Sequence, residues 1–146
     1  MIVKVTMDNI DEVLPLIREY QEFYGVKSIN EQKNKSFFSQ FAQSSEKGML
    51  HMYRLDDTCI GFTTIYRAFS STRAEEVAVL NDLYVKQEHR AKGYGRALIE
   101  YAFKIAKEEG FSRLQWLTAK DNETAQKLYR SLGAAQGSWS FYAKDL

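Results

Sequence analysis

Along this chain the apolar positions repeat at strand spacing, then at helix spacing, several times over. Ile2, Val3 and Val5 in MIVKVT mark a first strand. Val13, Leu16, Ile17, Tyr20 and Phe23 then recur on one side of a helix that Asp8 or Asn9 would cap and Gly25 would close. Pro15 falls in an early turn of that helix, where it is expected to kink or restart it. A second helix is expected over about 31–44, with Phe37, Phe38 and Phe41 as its apolar face. Gly48 introduces the strand MLHMYRL, Asp56-Asp57 forms a turn, and a strand from Cys59 to about Phe69 pairs back as a hairpin. The loop Ser70 to Arg73 leads to a third antiparallel strand ending at Val85, whose last part, Leu80 to Val85, suits a largely buried pleat.

Ala97, Leu98, Tyr101, Ala102, Ile105 and Ala106 set the period of a long amphipathic helix that stops at Gly110. The strand Arg113 to Ala119 is entered from that helix and is therefore expected to run parallel to the strand before it. A helix over about Asn122 to Leu132 follows, with Gly133 at its end. The tail, Ala134 to Ala143, reads as two short strands carrying Trp139, Phe141 and Tyr142. The sum is a mixed α/β sheet with helices on both sides, in one domain spanning residues 1–146.

Composition narrows the setting. The chain has 146 residues, 45% hydrophobic and 27% charged, as expected of one soluble domain. A net charge of +1 gives no global field for nucleic acid or acidic membranes. The single cysteine, Cys59, forms no internal disulfide, and His51 and His89 have no metal-ligand spacing. Neither a signal pattern nor a membrane-length apolar run is present, so a cytoplasmic protein without a metal is expected.

The chemistry gathers between Val85 and the long helix. Lys86, His89, Arg90 and Lys92 are followed by Gly93 and Gly95 around Tyr94, and the helix begins at once. A helix N-terminus presents unpaired amides and the positive end of its dipole. Glycine lets a ligand approach the backbone closely, and Arg90, Lys92 and Arg96 add positive charge. Such a loop suits a pyrophosphate. It lacks the Gly-Lys-Ser/Thr of a P-loop, and Leu98 stands where a dinucleotide fingerprint needs a small residue. The strand Leu-Asn-Asp-Leu-Tyr-Val followed by Arg90-x-x-Gly93-x-Gly95 instead resembles the acetyl-coenzyme A motif of the GCN5-related N-acetyltransferases, the GNAT superfamily. The order β-α-α-β-β-β-α-β-α-β-β is similar to that fold over nearly the whole chain.

The resemblance implies an acetyl-coenzyme A cosubstrate held by Arg90, Ala91, Lys92, Gly93, Tyr94, Gly95 and Arg96, and by main-chain atoms of Leu83, Tyr84 and Val85. The segment Thr118 to Ala134 resembles the family's second motif. There Asn122 matches a residue near the pantetheine arm, or caps its helix. Tyr129 matches the tyrosine that protonates the departing thiolate; thiol and phenol have pKa values near ~8.5 and ~10, so the transfer is feasible. Tyr129 also shares a helical face with Ala125, Leu128 and Leu132, as a core aromatic would. Polyamine-acetylating relatives have Glu at the position of Asn81, which cannot act as a base. Asp82 follows, pointing to the opposite face unless a bulge re-aims it, as a base acting through water or as a structural carboxylate.

The acceptor implied is a primary amine of a small molecule (a polyamine or an amino acid) or a peptide lysine. Phe23, Tyr24, Tyr66, Arg67, Phe69, Arg73 and Trp139 are expected around it, with Glu22, Glu75 and Glu76 nearby. A coenzyme-binding sensor without turnover is the alternative, kept alive by Asn81. A nucleic-acid partner is excluded by the small basic cluster, and a homodimer through the C-terminal strands is implied by family analogy.

Overall fold

The computed structural model describes residues 1–146. The chain divides into two compact bodies, Met1–Trp116 and Leu117–Leu146. In the first, strand β1 (Ile2–Lys4) precedes helices α1 (Ile10–Phe23) and α2 (Glu31–Gln43), then come β2 (Gly48–Leu55), β3 (Thr58–Ser70) and β4 (Glu75–Val85). Helix α3 (Tyr94–Glu108) and a short strand β5 (Leu114–Gln115) complete it. The strands form one sheet in the order β1-β2-β3-β4-β5, antiparallel except for the parallel β4–β5 pair.

Asp56 and Asp57 both adopt positive φ, +46° and +62°, the geometry that matches a two-residue turn to the twist of the β2–β3 hairpin. Val13, Leu16 and Ile17 of α1 pack with Phe38 and Phe41 of α2 against Leu50, Met52 and Phe62. On the other side, α3 packs on β3 and β4, burying Leu98, Ile99, Ala102 and Ala106. Helices thus cover both faces of the sheet, as the alternating spacings predict.

Several local expectations change. Helix α1 runs unbroken through Pro15, because the carbonyl left without a donor belongs to Asp11, on the exposed first turn. Asn9 occupies the N-cap position, yet its side chain turns away to accept from the Thr6 amide at 2.8 Å and donate to the Lys4 carbonyl at 3.2 Å. Phe37 is exposed, touching Phe38 and Phe41 by its edge while those two enter the core. Strand β5 is two residues long rather than the seven expected over Arg113–Ala119, since only Leu114 and Gln115 pair with Ala78 and Val79.

The second body holds α4 (Glu123–Ser131). Asn122 is its N-cap and accepts the Ala125 amide at 3.2 Å. The two C-terminal strands expected from the apolar spacing are not formed. Residues 134–146 make no strand pairing, and the side chains that suggested strands, Trp139, Phe141 and Tyr142, are exposed. No helix is long and apolar enough to cross a membrane.

Candidate active site

A β-bulge organises the first part of the site. The pairing of β3 with β4 runs Tyr66↔Val79 and Ile65↔Leu80, then resumes at Thr64↔Asp82, leaving Asn81 as the extra residue. The shift changes which β4 side chains face α1 and α2. Val79 pairs with Tyr66, whose ring stacks on Phe41, whereas beyond the bulge it is Asp82 and Tyr84 that lie against Tyr20. The re-aiming that Asp82 required is therefore present.

Asp82 is buried and ends in a small polar cluster. Its Oδ1 accepts from the Tyr20 hydroxyl at 2.7 Å and from Asn81 Nδ2 at 3.2 Å, and Oδ2 takes part in neither bond. Asn81 Nδ2 also donates to the Tyr66 hydroxyl at 3.2 Å. Burial, and then the Asp82 carboxylate it bonds, push the Tyr20 phenol well above its usual range, so it stays a donor. Burial and the Asp82 charge push Tyr66 up to about 12. Rings of Tyr24, Phe62 and Tyr84 stand edge-on around Tyr20 at 4.9–5.5 Å. The result is a carboxylate with one oxygen anchored, set in an aromatic wall.

Tyr20 is the member of this polar cluster that apolar spacing alone does not single out. The spacing placed it correctly on the inner side of α1 but ranked it as core. A usable signal existed: a phenol on an otherwise aliphatic face needs a hydrogen-bond partner when buried.

The glycine loop and the end of β4 form the second part. Lys86 N donates to Ile60 O at 2.9 Å, which makes that pair, and by alternation Phe62–Tyr84, the hydrogen-bonded ones. Leu83 and Val85 accordingly turn their N–H and C=O groups away from β3. Since β5 pairs with β4 only at Ala78 and Val79, this stretch is an open edge within the first body. Tyr84, by contrast, spends its main-chain groups on β3, so it does not share the role expected of Leu83 and Val85.

In the loop, Ala91 and Gly93 take positive φ, +60° and +87°. Ala97 N, bonded to Gly93 O at 3.0 Å, is the first amide to close a turn of α3. None of the amides from Ala91 to Gly95 finds a protein acceptor. Gly95 sits in the first turn of the helix, where glycine costs about 1 kcal/mol relative to alanine. Yet a Cβ there would meet nothing within 4 Å. The protein itself does not require that glycine, whereas a ligand lying on the amides would. The loop and edge thus fit a coenzyme with a pyrophosphate and an amide-bearing arm.

Residues 13–134 match the model of the acetyltransferase (GNAT) family, which is most of the chain. The chain belongs to the GNAT acetyltransferase family. It is similar to the D-amino-acid N-acetyltransferase HPA3 of Saccharomyces cerevisiae, 35% identical over 78% of this chain and 71% of that protein. A thialysine N-epsilon-acetyltransferase of Caenorhabditis elegans is 26% identical over 88% of this chain and 78% of that one. A crystal structure of a probable acetyltransferase superposes with a TM-score of 0.87 at 30% identity, covering 100% of this chain and 97% of the other. Its relatives being N-acetyltransferases, this GNAT protein is an enzyme of that kind.

Several other expected site residues of this acetyltransferase have protein partners. Arg67 donates to Ser45 O at 2.8 Å, pairs with Glu76 at 3.4 Å and Glu109 at 2.6 Å, and lies over the Phe111 ring. It braces β3 against the end of α3. Arg73 pairs with Glu75 at 3.4 Å in the β3–β4 loop, and Phe69 points into solvent beside Ser70, Ser71, Ala74, Glu75 and Glu76. Glu22 is bound to Arg18. Phe23 and Tyr24 remain exposed at the end of α1, next to Tyr20. Of the loop cations, Lys92 donates to Glu88 O at 2.9 Å and Arg96 pairs with Glu100 at 3.1 Å, both at the surface. Tyr94 packs its ring against Tyr53 and His89. Cys59 is a buried free thiol, and burial pushes it up to about 11. Asn122 and Tyr129 belong to the second body, Asn122 as the cap described and Tyr129 within α4.

Proposed function

We propose that this acetyltransferase moves the acetyl group of acetyl-coenzyme A directly to a primary amine, on a small molecule such as a polyamine or amino acid, or on a peptide lysine. The observation that carries the reading is the unpaired amide run from Ala91 to Gly95, opening onto the Leu83–Val85 edge, which no strand pairs. The loop amides, with Lys92 and Arg96 nearby, take the pyrophosphate, and the edge amides of Leu83 and Val85 take carbonyl oxygens of the coenzyme. Tyr94 and Asn122 complete the coenzyme set.

An alkyl ammonium with a pKa near ~10.4 must lose a proton before its nitrogen can attack. Asp82 Oδ2 accepts that proton, directly or through one water, while Tyr20 and Asn81 hold Oδ1. The amine lone pair then forms the C–N bond, the C–S bond breaks and Tyr129 protonates the sulfur, while the second proton leaving the nitrogen passes through water back to the Tyr129 phenolate. Tyr129 carries this role on the likeness of its motif. Residues 1–146 act as one domain in this reading, which the family match across 13–134 supports. The relatives named for D-amino acids and thialysine support an amino-acid acceptor over a peptide. The buried free thiol of Cys59 supports a cytoplasmic setting, and the exposed Trp139, Phe141 and Tyr142 support a homodimer.

A coenzyme sensor without turnover is the second reading, favoured by a buried Asp82 with two donors, as a structural carboxylate would be. One experiment separates them. Thiol release from acetyl-coenzyme A is followed against polyamines, D- and L-amino acids, thialysine and basic peptides, with the coenzyme's effect on melting temperature measured alongside. Turnover with an amine supports the enzyme and selects its acceptor; stabilisation by the coenzyme with no turnover across the panel favours the sensor. Absence of stabilisation refutes the loop assignment.

A further inference from the structure

We infer that Arg90 is a positioning residue, a latch that ties the end of α1 to the coenzyme loop, and not a charge for the pyrophosphate. The inference rests on the coenzyme reading of the loop. Three contacts commit the side chain. Arg90 Nε donates to Val85 O at 2.9 Å, while the guanidinium carbon lies 4.9 Å from the centre of the Phe23 ring and 5.3 Å from that of Tyr84. The two rings are themselves 6.1 Å apart, so the planar cation is stacked beside an aromatic pair.

These contacts have a consequence for the open edge. Val85 is the last residue of β4, and its carbonyl is turned away from β3. With that acceptor taken by Arg90, the edge near the loop offers amide donors to a ligand. The same bond fixes where the chain leaves the strand, and therefore where the Ala91–Gly95 amides point. Phe23, the last residue of α1, cannot donate to a phosphate, yet it holds the guanidinium in place. A nearby ion pair, Lys86 with Glu19 at 3.5 Å, joins the same two elements one turn earlier on α1. Coenzyme affinity should thus depend on a residue of the acceptor-side helix.

Lysine discriminates the two roles. Arg90→Lys keeps the positive charge but loses the flat fork that stacks on a ring while donating to a carbonyl. The test is calorimetric titration of the full chain with acetyl-coenzyme A at two salt concentrations. Wild type is compared with Arg90→Lys, Arg90→Gln, Phe23→Leu and the Phe23→Leu/Arg90→Lys double variant. The latch predicts that each single variant weakens binding roughly three- to tenfold, that Lys is no better than Gln, and that the double variant is no worse than Arg90→Lys. The salt dependence should stay that of wild type. If Arg90→Lys binds normally while Arg90→Gln loses affinity and salt dependence, or if Phe23→Leu binds normally, the latch is overturned. Gly93→Val separates the underlying reading. Wild-type binding that is lost in Gly93→Val but unmoved by Phe23→Leu removes the latch alone, whereas no binding by wild type removes both.

Discussion

Replacing His51 should free this protein of an acid sensitivity that lies far from its chemistry. His51 is 2% exposed, in the middle of β2, with Lys4 paired opposite it on β1 and Tyr101 of α3 against its ring at 5.1 Å. Its Nδ1 is buried without a hydrogen-bond partner. Burial first, and then the charge of Lys4, lower its pKa from 6.5 to about 4. The unfolded chain therefore binds a proton between those values that the folded chain refuses. Stability is unaffected well above pH 6.5 and falls as pH drops from there toward 4, below which both states are protonated. The full difference is ~3 kcal/mol, of which ~2 kcal/mol has been lost by pH 5 and only ~0.2 kcal/mol at pH 7. His51→Leu keeps an apolar side chain in the slot and removes the titration. Urea denaturation of wild type and His51→Leu at pH 8, 7, 6 and 5 isolates the effect, because the carboxylates titrating in both cancel in the difference. The gap should open in favour of leucine by ~2 kcal/mol between pH 8 and 5. Parallel stability curves for the two proteins would refute a buried neutral imidazole.

Three further substitutions test the architecture and the site. A Cβ on Gly48 would lie 2.3 Å from the Ile65 carbonyl oxygen across the hairpin, so Gly48→Ala should cost at least ~2 kcal/mol in urea denaturation; a neutral result would deny that close approach. Asp82→Asn should lower kcat by about a hundredfold and leave the acetyl-coenzyme A Kd unchanged, and full turnover in this variant would return Asp82 to a structural role. Tyr129→Phe should bind the coenzyme normally and lose turnover by a similar factor, so an unaltered kcat would make Tyr129 an ordinary aromatic of α4.

Much of this was legible in the residues themselves. Helical and strand periods located α1 through α4 and the β2–β3–β4 meander, because those periods are local to each segment. The glycine loop was equally readable, since Gly93 and Gly95 announce a backbone requirement that is local too. What escaped depends on distant pairing. The bulge at Asn81 exists only because Thr64 and Ile65 meet β4 out of step, and no pattern within β4 encodes that offset. The Tyr20–Asp82 bond joins residues 62 positions apart. Arg67 is placed on the acceptor side by its position in the chain, but the acidic partner that claims it, Glu109, is 42 positions away. The tail misled for a related reason. Apolar alternation at Trp139, Phe141 and Tyr142 suggests strands, but a strand needs a hydrogen-bonded neighbour, which those residues lack.

The extra residue in β4 also bears on how such a site changes over evolutionary time. In a regular strand, neighbouring side chains face opposite ways, so moving an acid by one position would remove it from the cleft. Here Asn81 and Asp82 are consecutive and still touch, Nδ2 to Oδ1 at 3.2 Å. In the proposed reading, Asn81 and Asp82 are thus two adjacent positions, one exposed and one buried, from which an acid reaches the same polar cluster, so a carboxylate can sit at either without a change in strand register.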